Sequence, residues 1–300
     1  MPVSFVTRFA PSPTGLLHLG HAFSALTAFE AAKAAGGEFL LRIEDIDGAR
    51  VRPDYETAIY EDLAWLGVTW PEPVLRQSER FGVYDTGLEQ LDRLGVIYPC
   101  CCTRADIRAA LAAPQEGATH HPPGAAIYPG TCRGRRMAAC GPSDAIRLDL
   151  DRALALLSGQ ALTWCEAGAA SAGTHALDPQ AMRQQIGDVV LARKDTGAAA
   201  YHLAVVVDDA AQGITHVIRG EDLLEATQIH RLSQALLKLP VPVWHHHRLV
   251  RDAAGKRLAK RSDAFAIRAY REAGRTPEDV RRMAHSAVCE GEAPQWGDET

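Results

Sequence analysis

The fold is decided near the N-terminus of this chain, by the stretch Arg8-Phe9-Ala10-Pro11-Ser12-Pro13-Thr14-Gly15-Leu16-Leu17-His18-Leu19-Gly20-His21. Before it, residues 3–9 alternate apolar and polar side chains, which is the period of a β-strand. After it, apolar residues recur at helical spacing as far as Gly36-Gly37, and residues 39–43 again resemble a strand. Strand, turn, helix and strand form a βαβ unit with parallel strands. Ligands bind at the carboxyl ends of such strands, where this turn lies.

The turn leads into a helix start that carries two imidazoles. Pro11 and Pro13 stiffen the backbone, and Gly20, between His18 and His21, leaves room for a flat ring. A helix N-terminus attracts phosphate through its dipole and its unpaired N–H groups. Both histidines could instead be ordinary surface or capping residues. The preceding strand and the following helix favour a nucleotide site.

The composition is that of an ordinary globular protein, with 47% hydrophobic and 23% charged residues in a chain of 300. No apolar run reaches membrane-spanning length, and the first residues lack the features of a signal peptide, so we expect a cytoplasmic protein. The net charge of −5 does not favour a nucleic-acid binder. Residues 248–282, however, hold eleven basic and five acidic side chains, which suit either phosphate contacts or a solvated helical face.

A segment rich in Gly, Pro, Ala and Cys, at about residues 99–145, predicts an insertion within the sheet. Small insertions with few core residues often need a metal ion. Three of its thiolates suit tetrahedral zinc, and one further donor would complete the site. The thiolates are those of Cys100, Cys102 and Cys132; the fourth donor is left open among Tyr128, Cys101, His120, His121 and Cys140. The alternative is that these cysteines are reduced and bind no metal.

Strand-like runs resume after the insertion. Residues 187–193 and 199–207 flank a Gly-containing turn and predict a hairpin whose second run is a buried central strand. Residues 214–218 predict another strand, and residues 223–237 a helix. Residues 159–173 carry no informative pattern. The run His245-His246-His247 is not a metal site if it lies on a strand, because successive side chains point to opposite faces.

Several motifs, in order along the chain, resemble those of class I aminoacyl-tRNA synthetases, in the form that glutamyl enzymes use. Residues 8–21 resemble the HIGH motif, and residues 257–261 (Arg-Leu-Ala-Lys-Arg) are similar to the KMSKS loop. Blocks at residues 77–81, 201–209 and 217–223 resemble those of glutamyl-tRNA synthetases, so the match covers about residues 3–280. Ala259 replaces the usual Ser, so phosphate contact there would rest on Lys260 and on backbone N–H groups.

The resemblance implies an α/β fold: a Rossmann-like parallel sheet split by a zinc-bearing insertion, with a short C-terminal helical region that would contact a tRNA stem. The expected units are residues 1–98 and 187–250 for the two halves of the catalytic domain, with the insertion at 99–186. Residues 251–285 would form the KMSKS-like loop and helical region, and residues 286–300 a disordered tail. The family's zinc spacing favours Tyr128 as the fourth ligand.

The resemblance also implies that the protein forms glutamyl-adenylate from L-glutamate and ATP. In the glutamate pocket, Arg8 would bind the side-chain carboxylate and Glu44 the amino group. Ala10 and Ser12 would assist, and Tyr201 and Arg219 would complete the pocket. The groups implied for ATP, with Mg²⁺ accompanying it, are His18, Gly20, His21 and Lys260; of these, His18, His21 and Lys260 are the candidate catalytic residues.

A full glutamyl-tRNA synthetase would continue into a helical anticodon-binding domain, and none is expected here. This resembles a paralogue of the catalytic half, which transfers glutamate to queuosine in the anticodon of tRNA(Asp). We therefore expect a monomer whose partners are glutamate, ATP and that tRNA. The alternatives are a glutamyl-tRNA synthetase that charges a tRNA 3′ end, a small HxGH adenylyltransferase, and a tRNA-binding paralogue without enzymatic activity.

Overall fold

The structure is a computed structural model and describes residues 4–112, 127–194, 198–250 and 266–286. Its strands and helices alternate along most of the chain, and short 3₁₀ turns lie at residues 77–79, 137–139 and 221–223. The strands are β1 (Val6–Phe9), β2 (Glu38–Ile43), β3 (Leu75–Arg76), β4 (Ile97–Cys100), β5 (Ala145–Leu148), β6 (Thr163–Glu166), β7 (Gly173–Ala176), β8 (Val190–Ala192), β9 (His216–Gly220) and β10 (Val243–His247). The helices are α1 (Leu19–Ala34), α2 (Pro53–Trp65), α3 (Phe81–Arg93), α4 (Arg104–Ala112), α5 (Leu150–Leu156), α6 (Pro179–Gln185), α7 (Tyr201–Ala211), α8 (Ala226–Leu237), α9 (Ile267–Glu272) and α10 (Pro277–Ser286).

The βαβ unit predicted from the N-terminal residues is confirmed. β1 pairs in parallel with β2, β2 pairs in parallel with β3, and α1 connects the first two strands. Fully buried alanines at positions 22, 25 and 28 let α1 lie close to the sheet. Gly37 is required where the chain turns back, because a Cβ there would lie 2.0 Å from the carbonyl oxygen of Phe5.

A second group of strands extends the parallel arrangement. β10 pairs in parallel with both β9 and β6, and β7 forms an antiparallel edge on β6. The backbone N–H of Thr215 donates to the carbonyl oxygen of Val6 at 2.9 Å, so the start of β9 lies against β1. The parallel strands are thus divided in sequence, which confirms the split α/β sheet.

A third, antiparallel sheet in the order β4-β5-β8 carries the beginning of the cysteine-rich segment. Cys100 is the last residue of β4, and the pairing of β5 with β8 ties this segment to the chain just before α7. The cysteines are therefore attached to a sheet whose strands come from both sides of the cysteine-rich segment.

One of the secondary-structure predictions fails, and one segment for which none was made proves to contain strands. The run at 199–207 is not a central strand, because residues 201–211 form α7 and only Ala199 bridges to Ala192. A short continuous apolar run fits a buried helix as well as a buried strand, and α7 is buried along most of its length. Residues 159–173, which carry no readable pattern, contain β6 and the start of β7.

Some predictions fall on residues that the structure does not describe. They are the KMSKS-like loop with Ala259 and Lys260, the alternative zinc donors His120 and His121, and all but the first residue of the predicted tail. Among the described residues, no helix is long and apolar enough to cross a membrane. The cytoplasmic location and the monomeric state remain predictions.

Candidate active site

Arg8, at the end of β1, is held by a carboxylate that arrives from α7. Its Nε donates to Oδ1 of Asp209 at 2.9 Å, and its Nη2 to Oδ2 at 3.3 Å. Arg42 of β2 donates from Nη1 to the same Asp209 Oδ1 at 2.7 Å. Burial opposes ionisation of Asp209, but the charges of Arg8 and Arg42 hold the pKa of its carboxyl below the ordinary value. One carboxylate therefore fixes two buried guanidinium groups.

Glu44 completes this charge cluster at the carboxyl end of β2. Its Oε1 lies 3.3 Å from Nη2 of Arg42, and its backbone N–H donates to the carbonyl oxygen of Pro11 at 3.0 Å. Burial raises the pKa of Glu44, although the charges of Arg42 and Arg8 oppose that shift. The side chain keeps 11% of its exposure, so it is not fully closed off from solvent. Ala10 and Ser12 lie half-buried in the same turn as Pro11.

Arg219 on β9 lies near Arg8. Arg8 donates to a carboxylate, whereas the guanidinium of Arg219 donates to a hydroxyl and to two imidazole rings. Its Nη1 donates to the Tyr201 hydroxyl at 3.3 Å and to Nδ1 of His230 at 3.0 Å. Its Nε donates to Nε2 of His246 at 2.9 Å. Burial lowers the pKa of Arg219, and the nearby charge of Arg8 adds to that effect. The structure thus places four of the predicted pocket residues close enough for their charges to interact: Arg8, Glu44, Tyr201 and Arg219.

The two motif histidines cap the helix that they open. Nδ1 of His18 accepts from the backbone N–H of Gly20 at 3.1 Å, and Nδ1 of His21 accepts from the backbone N–H of His18 at 3.2 Å. The rings stack with centroids 3.8 Å apart. Acceptance at Nδ1 places the proton of each neutral ring on Nε2, the nitrogen that can donate to an anion. A Cβ on Gly20 would lie 3.0 Å from the His18 ring, so a side chain there would displace it.

The three predicted thiolates converge. The sulfurs of Cys100, Cys102 and Cys132 all lie within 4.8 Å of one another. The Tyr128 hydroxyl lies 3.3 Å from the Cys100 sulfur and 3.5 Å from the Cys102 sulfur. Burial opposes ionisation of Cys132, but hydrogen bonding by Tyr128 and the neighbouring cysteines lowers the pKa of its thiol to about 6. The three cysteines can therefore hold a metal ion, and thiolate donors suit zinc.

Of the other candidates for the fourth donor, the two that the structure describes, Cys101 and Cys140, are less well placed. Cys140 is exposed and lies outside the group of converging sulfurs. Cys101 is exposed, and its sulfur lies 3.8 Å from that of Cys132 but is not among the three mutually close thiolates. Tyr128, by contrast, is buried, and its hydroxyl lies beside two of the three converging sulfurs.

A cavity of about 380 Å³ lies between the cysteine-bearing segment and the start of α7. Tyr201 lines it, whereas Arg8, Glu44 and Arg219 do not. Its wall includes Arg147, whose guanidinium lies 3.9 Å from the centre of the Tyr128 ring. The Nε of Arg147 is buried and has no hydrogen-bond partner among the described residues. The cavity therefore joins the surroundings of the cysteines to Tyr201, the residue whose hydroxyl contacts Arg219.

Sequence reasoning missed several residues that shape this site. Asp209 and Arg42 belong to the charge cluster, while Asp208 accepts from Gln77, Arg80 and Tyr84 on the opposite side of α7. His230 and His246 contact Arg219, and Glu166 contacts His246. The pair of acids at 208–209 was a usable signal, since two consecutive buried carboxylates need cationic partners. No sequence signal pointed to Glu166, because it lies within residues 159–173, which carry no informative pattern.

Comparisons with known proteins identify the family to which this chain belongs. Residues 4–125 and 176–288 match the family of class I tRNA synthetases (E and Q), catalytic domain. The chain is 54% identical over 281 residues to the glutamyl-Q tRNA(Asp) synthetase of Rhodobacter capsulatus, covering 93% of this chain and 99% of that protein. It is 41% identical over 282 residues to the protein of the same name from Nitratidesulfovibrio vulgaris, covering 89% and 81%.

A solved structure is similar along most of the chain. It is the glutamate tRNA ligase of Elizabethkingia meningosepticum in complex with its amino acid, with a TM-score of 0.67 and 30% identity. The match covers 87% of this chain and 52% of the ligase, so the chain spans about half the length of that protein.

Proposed function

Because this chain belongs to the glutamyl-Q tRNA(Asp) synthetases, ligases of the class I tRNA synthetase family, we propose that it activates L-glutamate with ATP and transfers the glutamyl group to queuosine in the anticodon of tRNA(Asp). The observation that carries the proposal is the cluster of Arg8, Arg42, Glu44 and Asp209 at the carboxyl ends of β1 and β2. This cluster offers both signs of charge to a small zwitterion with an additional carboxylate.

The glutamate side chain would be bound by Arg8. A guanidinium has five N–H donors, and the bonds to Asp209 use two of those on Arg8. The remaining donors suit a carboxylate, which Arg recognises through paired hydrogen bonds. Asp209 would keep the guanidinium plane fixed before the substrate arrives. Glu44 would accept from the substrate ammonium, whose charge would favour the ionised carboxylate that burial disfavours.

ATP would lie over the turn between β1 and α1, with its phosphates near His18 and His21 and its rings near Gly20. Mg²⁺ would accompany it, and Lys260 would neutralise the phosphate charge. The glutamate α-carboxylate then attacks the α-phosphorus and displaces pyrophosphate. In the second step a hydroxyl of the acceptor nucleoside attacks the acyl carbon, loses its proton, and displaces AMP. Positioning and charge stabilisation account for the catalysis.

The cysteine cluster would bind one zinc ion through Cys100, Cys102, Cys132 and the Tyr128 hydroxyl. The ion would have a structural role, holding the segment that follows β4 against the antiparallel sheet. Tyr128 is supported as the fourth ligand because its hydroxyl lies within 3.5 Å of two of the sulfurs.

The choice of queuosine as the acceptor of the glutamyl group has support of its own. The names of the relatives indicate queuosine-bearing tRNA(Asp), and the cavity beside Tyr201 is within the size range of small-ligand pockets. The test compares tRNA(Asp) carrying queuosine with the same tRNA carrying guanosine at that position, each with labelled glutamate and ATP. We expect labelling of the modified tRNA alone, and equal labelling after its 3′-terminal adenosine is removed. Labelling that requires the 3′ adenosine would instead identify a synthetase that charges the 3′ end.

A further inference from the structure

The turn at residues 77–80 (the 77–80 turn), which leads into α3, is held on one side by Asp45. Oδ1 of Asp45 accepts from the backbone N–H of Ser78 at 2.7 Å, and Oδ2 accepts from the Ser78 hydroxyl at 2.6 Å. Asp45 is 4% exposed and directly follows Glu44 in the chain. The carboxylate that fixes the turn is therefore the neighbour of the residue proposed to bind the substrate ammonium.

The 77–80 turn is held on its other side by Asp208 of α7, which is fully buried. Its Oδ2 accepts from Nε2 of Gln77 and from the Tyr84 hydroxyl, both at 2.8 Å. Its Oδ1 accepts from Nε of Arg80 at 2.7 Å. Successive residues of a helix point about 100° apart, so Asp208 faces α3 while Asp209 faces the charge cluster.

The 77–80 turn thus connects the two elements that carry opposite ends of the proposed glutamate site. Glu44 is next to one of the fixing carboxylates, and Asp209, which holds Arg8, is next to the other. Inside the pocket the same elements are joined through Arg42, which contacts both Asp209 and Glu44. The separation of Glu44 and Arg8 is therefore set by one connection inside the pocket and one outside it.

The outer connection is rigid because its acceptors are buried charges. The side chains of Asp45 and Asp208 are 3% and 0% exposed, so neither can meet a substrate, and a donor that left either of them would leave a buried carboxylate undersupplied. α3 also packs directly on α7, since a Cβ on Gly87 would lie 3.5 Å from Cδ1 of Leu203. Movement of the turn would have to carry both elements with it.

We propose that the 77–80 turn is a positioning element for the amino-acid substrate, which fixes the separation of Glu44 and Arg8 and so selects the length of substrate that spans them. This inference rests on the proposed function, in which those two residues bind opposite ends of glutamate. Aspartate is one methylene shorter and would reach one end alone. Two charged ends held at a fixed separation discriminate against it more strongly than ends that can approach each other.

One substitution on each side of the turn tests the proposal. Ser78→Ala removes the hydroxyl bond to Asp45 and keeps the backbone bond, and Gln77→Met removes the amide donor to Asp208 at nearly constant shape. In glutamate-dependent ATP–pyrophosphate exchange, each change should raise the KM for glutamate about threefold and the double variant about tenfold or more, with kcat changed less than about threefold. An unchanged KM for glutamate in the double variant would overturn the proposal.

L-Aspartate, used as a competitive inhibitor of the exchange, separates positioning from a general loss of structure. Its Ki should change less than about threefold in the double variant, because it does not span both ends of the site in the wild type. A Ki that rises by the same factor as the KM for glutamate would overturn the proposal. If aspartate inhibits neither protein, the KM for ATP replaces it, and an equal rise in the two KM values overturns the proposal.

Two further variants serve as controls. Ser78→Thr restores the hydroxyl and should bring the KM for glutamate to within about twofold of the wild type. Thr27→Val, in α1, removes a buried hydroxyl that donates to the carbonyl oxygen of Phe23 at 2.8 Å, so it loses a comparable bond outside the turn and should leave the KM unchanged. If the double variant does not fold, the contrast between Ser78→Ala and Ser78→Thr decides, and equal KM values for those two contradict the proposal.

Direct titration of glutamate by calorimetry, without ATP, separates this inference from the proposed function. If the wild type binds glutamate but shows no exchange, the proposed function fails. The variants then still report on the 77–80 turn through their Kd values for glutamate and aspartate, with the same expected shifts.

Discussion

At the scale of single residues, Asp209 is the group on which the site depends. Its two oxygens hold Arg8 and Arg42, which lie 201 and 167 residues away in sequence. Arg42 is fully buried, so the cost of removing its charge from water is offset mainly by Asp209 and, at a longer distance, by Glu44. Loss of this carboxylate would leave two buried cations poorly compensated.

Asp209→Asn therefore tests the charge cluster. Removing one partner of a buried ion pair costs about 3–5 kcal/mol, and we expect a loss in the free energy of unfolding of about that size. The KM for glutamate should also rise, because Arg8 would no longer be held in one plane. Urea unfolding and pyrophosphate exchange measure the two effects. Asp85→Asn, on the exposed face of α3, serves as the control, and an equally small loss in both variants would contradict the assignment.

At the scale of elements, the antiparallel sheet β4-β5-β8 shows how a segment with little core of its own is held. Its buried core near the cysteines consists of Tyr98, Cys100, Tyr128 and Cys132, with Cys102 and Ile107 packed against them. So few apolar contacts stabilise a segment only weakly, and a bound metal ion would contribute binding energy to its folding.

Cys100→Ser is expected to lose the metal and to lower the thermal unfolding temperature. Metal content by atomic absorption and unfolding by circular dichroism measure the two results. Cys140→Ser is the matched control, because Cys140 is exposed and outside the group of converging sulfurs. Native protein that contains no zinc after purification in zinc-supplemented medium would count against the site.

The KMSKS-like loop is the second element with a testable role. Lys260→Ala should slow adenylate formation at least about tenfold and leave glutamate affinity nearly unchanged, because the ammonium group would act on phosphate charge that develops in the reaction. Pyrophosphate exchange gives the rate, and calorimetric titration of glutamate gives the affinity. Exchange at the wild-type rate would refute this role.

At the scale of the whole molecule, buried histidines couple stability to pH. Burial lowers the pKa of His202 and of His247 to about 4, and it also lowers that of His230 and His246. These groups bind protons more weakly in the folded state than in the unfolded chain, whose histidines titrate near 6.5. Their contribution to stability is complete above about pH 6.5 and is lost as the pH falls towards 4.

His247→Asn isolates one such contribution without touching the substrate pocket. His247 donates from Nδ1 to the carbonyl oxygen of Arg248 and packs edge-on against Phe23. Between pH 6.5 and 5, the wild type should lose up to about 1.4 kcal/mol more per pH unit than the variant, the limit set by one proton. Urea unfolding at pH 5, 6 and 7 measures the slopes. Parallel slopes would show that His247 does not titrate in this way.

Much of the fold and of the site follows from local sequence. Residues 3–43 specify a strand, a turn with two capping histidines, a helix and a second strand, since these signals act within a few residues. The cysteine spacing likewise predicted a convergence that the sulfur positions confirm. α7 was mistaken for a strand, because a fully apolar run has no period that separates the two structures.

The sequence by itself determined the nucleotide-type turn, the acidic end of β2 and the three thiolates, because each depends on residues that are neighbours along the chain or on one short motif. Only the tertiary structure decided that Asp209 joins Arg8 to Arg42, and that Glu166 reaches Arg219 through His246. Asp209 lies 167 or more residues from its two partners, Glu166 lies 80 residues from His246, and His246 lies 27 residues from Arg219. The order of strands in the sheet, which no local pattern encodes, brings their side chains into hydrogen-bonding distance.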